Sequence, residues 1–312
     1  MNLAAAVSNQ AATACQTGKV VTSSQQYRAR RLYRFSRGLL VVGHPLPTLL
    51  TAVAAMAFFM IGRDDVTVGI DAAIVFISVY LILYSIGAMN DYVDEPLDRR
   101  GDRKEKPLVA GDLSRTSALL LWLTTAALGV AAAYHFSLGV AGIAALLWLL
   151  GVSYNFWAKP TSLSWLPFMA FYPSLPVLGF VAAGRFTPAL LLAYPVGGLL
   201  SVGLNVANTI PDIDRDIEGG VNGFTHRLGT TRALVVLWLL LAATMILMAS
   251  STWLAGGRPG RLAPGLGIGI FLLGAMIADW AVLRSPASLR RTFYLSAAFA
   301  VVIGCAWVAS LP

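Results

Sequence analysis

Charge is scarce in this chain. Only 12% of its 312 residues are Asp, Glu, Lys or Arg, and 57% are hydrophobic, whereas soluble domains carry about 25% charged residues. That balance excludes an ordinary soluble enzyme. Cysteine is scarcer still: Cys15 stands in the N-terminal tail and Cys305 in the last apolar run, so no structural disulfide is expected. With His44, His135 and His226 scattered, no Cys/His metal-ligand spacing exists either. Acidic residues are missing from positions 1–38 altogether, where Lys19, Arg28, Arg30, Arg31, Arg34 and Arg37 sit among Ala, Ser, Thr and Gln. Such a segment fits an organellar transit peptide or a basic helix lying at the membrane interface, and the interfacial reading is favoured. It lacks an apolar core before Leu39, which argues against a cleaved secretory signal.

What is present in quantity is apolar sequence. Runs of about 20 residues, enough to span a bilayer, occupy 39–60, 66–89, 116–134, 138–156, 162–183, 188–208, 233–253, 262–283 and 292–311. The expected fold is therefore an all-α integral membrane protein of about nine transmembrane helices, preceded by a basic segment 1–38, with the membrane domain over 39–312. With the N-terminus in the cytoplasm, 19 of the 23 Lys and Arg residues fall on that side, and only Arg63, Arg185, Arg258 and Arg261 on the other. The positive-inside rule fixes the orientation. The net charge of +8 follows from this topology and from anionic lipid, so nucleic acid is not expected as a partner.

The few acids are concentrated. Eleven of the fifteen lie in two stretches, 85–114 and 205–229, each following an apolar run and both on the cytoplasmic face. In the first, a helix continuing past the membrane brings Asn90, Asp91, Asp94 and Asp98 within an arc of about 100°. In the second, Asn208, Asp212 and Asp216 repeat the four-residue step, with Asn205 on the same face and Asp214 opposite. Pro96 and Pro211 interrupt the two segments, so the arcs are approximate. Amide and carboxylate oxygens are hard ligands suited to Mg²⁺, which commonly bridges to phosphate oxygens. Two such stretches four helices apart, with the same orientation, suggest a parallel internal repeat whose clusters face each other across a central cavity. Lys159, in the segment Tyr154-Asn155 to Lys159, is placed to neutralise phosphate or to anchor the interface. His44 reads as a helix-entry residue, and Asp279 is an intramembrane acid with no visible partner.

The paired stretches resemble the UbiA superfamily of intramembrane prenyltransferases. Asn90, Asp91, Asp94 and Asp98 look like that family's NDxxDxxxD motif, and Asp212 and Asp216, with Gly220 and the closing Arg227-Leu228-Gly229, look like its DxxxD motif. The likeness covers roughly residues 38–312. It implies a helical bundle around a central cavity open to lipid, with Asn90, Asp91, Asp94, Asp98, Asn208, Asp212 and Asp216 holding Mg²⁺. Asp94, Asp98, Asp212 and Asp216 would be catalytic, and Lys106, Tyr154, Lys159, Arg227 and Asn205 would receive the diphosphate. One departure stands out: where the family often has a Lys or Arg after the second motif's glycine, and then Ser or Thr, this chain has Val221, Asn222 and Gly223.

The implied activity is Mg²⁺-dependent transfer of a prenyl group from an allylic isoprenoid diphosphate to an aromatic or other lipophilic acceptor in the bilayer. The alternative within the superfamily is a terpene cyclase, in which the allylic cation is captured by its own double bonds. A transporter would place its polar residues near the membrane midplane, not at one face. A bacterial plasma membrane, with both acidic motifs in the cytoplasm, is the expected location. Cysteines introduced at Gly101 and Gly219 should react with an impermeant thiol reagent only from the cytoplasmic side, and one at Gly257 only from the opposite side. Labelling of 101 and 219 from opposite sides would separate the two motifs.

Overall fold

Every apolar run forms a helix, because a backbone surrounded by lipid must satisfy its own N–H and C=O groups. The structure, a computed structural model, describes residues 23–218 and 220–312, which are helix and connecting turns with no strand among them. Cys15, Lys19, most of the transit-peptide alternative and Gly219 lie outside the described residues. Ten helices carry the architecture: α1 (Ser23–Val42), α2 (Pro45–Arg63), α3 (Ile70–Arg100), α4 (Arg115–Tyr134), α5 (Leu138–Ser153), α6 (Leu166–Ala182), α7 (Ala193–Thr209), α8 (Phe224–Leu254), α9 (Pro259–Leu283) and α10 (Pro286–Ser310). Eight stretches among the described residues are long and apolar enough to cross a membrane, and α6 is a shorter ninth. The chain is an all-α integral membrane protein of about nine spans.

Two boundaries differ from those the hydrophobic runs suggest. The first span begins at Pro45 instead of 39, because α1 continues to Val42 and the chain turns at Gly43 and His44, whose φ of 49° is left-handed. α1 is fastened through its C-terminal half: Arg34 and Arg37 each meet the buried carboxylate of Asp112 at 2.8 Å, and the Tyr84 hydroxyl donates to Leu39 O at 2.7 Å. The second span does not stop at 89. α3 runs 31 residues, through Pro96, and carries the whole first acidic motif on one continuous helix.

Sequential helices pack as neighbours, and α10 closes the ring by packing against α2 and α7. The span containing α7 is 56% buried within the protein and α9 only 11%, so α7 lies at the centre and α9 faces lipid. Several polar side chains inside the bundle are paired, as an apolar medium favours. Ser78 donates to Gly129 O at 2.8 Å, Ser85 to Trp122 O at 2.8 Å, and the Trp307 indole to Ser251 at 2.9 Å. α2 and α6 approach closely at Gly179, where a Cβ would meet the Phe59 backbone nitrogen at 2.7 Å and the Phe58 carbonyl carbon at 2.9 Å. Backbone cannot swing aside as a side-chain tip can. Gly179→Val should therefore destabilise the bundle by about 1–3 kcal/mol or more, read as a lower melting temperature in detergent; an unchanged melting curve would mean that the two helices part freely.

Candidate active site

At one end of the bundle the two acidic stretches meet. α3 supplies Asn90, Asp91, Asp94 and Asp98. The second stretch leaves α7 at Thr209, tightens into a 3₁₀ turn at Pro211 and continues as the short helix Ile213–Glu218. A cavity lies between them, lined by Asn90, Asp94, Asn208, Asp212 and Asp216 together with Arg103, Lys106, Tyr154 and Lys159. Tyr154 is held edge-on to Phe168 at 5.0 Å.

The loop after α3 curls back beneath it. Arg103 N–H donates to Asp98 O at 3.0 Å, and this turn sets the Arg103 guanidinium 3.3 Å from Asp98, 3.5 Å from Asp216 and 3.8 Å from Asp212. One side chain thus ties the first motif to the second. Lys106, three residues on, reaches Asp91 at 2.6 Å, while His44 Nε2 stands 3.4 Å from the same carboxylate. Lys159 pairs with Asp94. Asp91 and Asp98 are buried at the margin of the cavity, beneath Lys106 and Arg103, and do not line it themselves.

Lys159 owes its position to a π turn over Tyr154–Ala158, which ends α5 by widening its last turn. That turn also buries Asn155, and a chain of hydrogen bonds then orients two amides. Asn155 Nδ2 donates to Gly151 O at 3.0 Å, so Asn155 Oδ1 is the acceptor for Asn90 Nδ2 at 2.7 Å. Asn90 is left with its oxygen as the free donor atom for a cation.

Among the described residues no three acids, histidines or cysteines form a metal cage by themselves. The donors that line the cavity are instead amide and carboxylate oxygens on opposite walls, with basic side chains between them. That set fits a hard divalent cation that completes its shell with water and phosphate oxygens, and does not fit a soft-metal site. Five carboxylates, Asp91, Asp94, Asp98, Asp212 and Asp216, are in contact with four permanently charged bases, Arg103, Lys106, Lys159 and Arg215. The balance favours a further cation.

Not every expected residue arrives. Arg227 is exposed and its Nε approaches Asn222 O at 3.4 Å, away from the cavity; one residue earlier, His226 takes the inward position. Asn205 is fully buried one turn below Asn208 and does not reach the cavity wall. Asp214 is exposed, as its helical phase requires. Asp279 has a partner after all, the Arg291 guanidinium of α10 at 2.7 Å, and is an interhelical ion pair outside the cavity. Arg103, His226 and Asn155 enter the site without having been singled out for it, and His44, favoured as a helix-entry residue although its depth could place it against a site, enters as well. Arg103 was legible only as one of several bases in a mixed-charge loop.

The sequence profile of the UbiA prenyltransferase family matches residues 48–303. A digeranylgeranylglyceryl phosphate synthase of Archaeoglobus fulgidus is 28% identical over 148 residues, 47% of this chain, and the match spans about half (50%) of that relative's length. A 4-hydroxybenzoate octaprenyltransferase of Vibrio cholerae is 24% identical over 67% of this chain and 82% of its own. Among solved structures, a UbiA homologue from Archaeoglobus fulgidus bound to GPP and Mg²⁺ superposes with a TM-score of 0.68 at 20% identity, over 87% of this chain and 99% of that one. At that identity the likeness is one of fold.

If Lys106 holds its loop through the buried Asp91 carboxylate, Lys106→Ala strands a buried charge and should cost about 3 kcal/mol. The double variant Asp91→Asn/Lys106→Ala should recover most of that loss in thermal unfolding. Equal melting temperatures for single and double variants would show that the pair does not anchor the loop.

Proposed function

Because this chain belongs to the UbiA prenyltransferase family, we propose that it transfers the isoprenoid group of an allylic diphosphate to an aromatic or other lipophilic acceptor, with its acidic face in the cytoplasm of a bacterial cell. One observation carries the reading. The polar cavity adjoins a second, apolar one, and both are lined by Pro47, Phe168, Tyr172 and Asn208. From Pro47 the apolar chamber follows α2 down to Phe58, roughly 16 Å of helix rise, and is bounded there by Met248 and Trp307. A molecule with a charged head and a long hydrocarbon tail matches that division.

In this reading the diphosphate lies among Arg103, Lys106 and Lys159, and the tail lies along Phe58, Phe168 and Tyr172. Asn90, Asp94, Asn208, Asp212 and Asp216 would hold Mg²⁺, whose charge stabilises the departing diphosphate. The bond between the allylic carbon and the diphosphate oxygen breaks with its electron pair going to oxygen. The resulting allylic cation faces aromatic walls, which shelter it from water and attract positive charge. A nucleophilic carbon or oxygen of the acceptor forms the new bond and loses a proton. One relative is named a digeranylgeranylglyceryl phosphate synthase and another a 4-hydroxybenzoate octaprenyltransferase, names that support transfer of a prenyl group and differ on the class of acceptor.

Purified protein supplied with geranylgeranyl diphosphate and Mg²⁺ should release diphosphate only when a lipophilic acceptor is added, and mass spectrometry should find the prenylated acceptor. Cyclic hydrocarbon or alcohol formed from the diphosphate alone would replace this reading with a cyclase. Chelation should abolish turnover. Asp94→Ala and Asp212→Ala should each lower the rate by at least about 10²- to 10³-fold with the fold retained, and near-wild-type rates would remove that residue from the site.

A further inference from the structure

Just after Val221, Asn222 and Gly223, His226 turns back onto the second motif. His226 sits at the start of α8 with its side chain only 5% exposed, and both ring nitrogens are engaged. The Gly223 backbone N–H donates to Nδ1 at 3.1 Å. A nitrogen that accepts from a backbone amide carries no proton of its own, so in the neutral ring the proton is on Nε2. Nε2 in turn stands 3.3 Å from Asp216 Oδ2. The same carboxylate meets Arg103 through its other oxygen, Oδ1, at 3.5 Å. The ring therefore takes one oxygen of Asp216 and leaves the second turned toward the groups of the first motif.

Gly223 is part of the device. A Cβ at that position would come within 3.2 Å of His226 Nδ1, 3.0 Å of Lys159 O and 3.4 Å of Ser164 Oγ. Any side chain there would crowd the imidazole against its own acceptor contact. Glycine at 223 and histidine at 226 fit as a pair, and together they join three elements: the cap of α8, the segment carrying Lys159, and the helix carrying Asp216.

We propose that His226 is the positioning residue for Asp216: a ring of fixed tautomer that locks the carboxylate so that one oxygen is presented to the divalent cation of the diphosphate site. The proposal rests on the metal-binding reading given above and deepens it. A histidine that merely caps α8 would need Nδ1 alone; the second contact, through Nε2, is what assigns the larger role. Hydrogen-bonding partners of ligating carboxylates orient them, and their loss typically weakens metal binding about 10- to 100-fold.

Two substitutions separate the contacts. His226→Asn keeps an acceptor near Nδ1 for the Gly223 amide but is too short to reach Asp216. His226→Gln keeps an N–H at the reach of Nε2. Mn²⁺ affinity is measured by calorimetry on purified protein saturated with an unreactive allylic thiodiphosphate, and thermal unfolding is recorded in chelator. We expect His226→Asn to bind Mn²⁺ about 10- to 100-fold more weakly with an unchanged melting temperature in chelator, and His226→Gln to stay within about threefold of wild type. Wild-type affinity in His226→Asn, equal weakening in both variants, or a lower melting temperature in chelator in place of an affinity change would each reduce His226 to a helix cap and overturn the proposal. Asp216→Asn serves as reference. If wild type and Asp216→Asn bind Mn²⁺ alike, the metal reading itself fails and this role falls with it; if they differ while His226→Asn matches wild type, only the histidine's role is lost.

Discussion

Carboxylates at the boundary of an apolar bundle cannot be left alone, and the structure follows from how they are matched. An isolated ion in a low-dielectric setting is strongly disfavoured, and pairing with good geometry is what makes it tolerable. Asp91, Asp94 and Asp98 project from a helix that is otherwise a membrane span, and each is met by its own base: Lys106 and Arg103 from the loop after α3, and Lys159 from the end of α5. Those pairings explain why the loop after α3 turns back under the helix and why α5 ends in a π turn. A further acid of the same loop, Asp112, is matched in the same way by Arg34 and Arg37 of α1. Arg103 goes one step further by reaching Asp212 and Asp216, so the two halves of the bundle are joined by charge at the site itself.

The membrane fold was legible because its signal is coarse. Runs of about 20 apolar residues report helices regardless of how these pack, and both the helix count and the two acidic ends could be read from them. The ends of helices were less legible. Hydrophobicity places the first span at 39, yet Leu39 to Val42 belong to α1 and the break falls at Gly43 and His44. That break is a backbone event, with Pro45 opening a new helix, and an apolar average does not register it. In α3 only the apolar part ends at 89; the helix continues through the acidic motif, as its four-residue spacing indicates, and its carboxylates are met by Arg103 and Lys106 of the next loop and by Lys159 further along.

The site shows the same division. Asn90, Asp94, Asn208, Asp212 and Asp216 share the cavity because four-residue spacing on a helix keeps one face, which is local geometry. Asp91 and Asp98 are also near, but a helical arc does not say which members face the opening and which are covered by a base. Cations are harder to place from sequence, since a long side chain on a loop has no period. Arg227 and Arg103 were equally plausible in composition; the path of the loop turns Arg103 inward and leaves Arg227 exposed. His226 was invisible for a related reason. Its two partners, Gly223 and Asp216, flank a turn at Gly220, where φ is +85°, and that turn alone brings the ring back onto the carboxylate.

The amide pair Asn155 and Asn90 shows how far one backbone group can govern the chemistry of a site. The π turn places Asn155 over Gly151 O, a carbonyl that can only accept, so the Asn155 amide must present its nitrogen there and its oxygen to Asn90. Asn90 must then donate, and its oxygen, the atom a hard cation prefers, is what remains. The polarity of the cavity at Asn90 is therefore set by the carbonyl of Gly151 at the end of α5, and the π turn that follows carries Lys159 to Asp94 on the next turn of α3. The end of α5 thus sets both a neutral oxygen donor and a positive charge on the wall where the charged head of the substrate is proposed to lie.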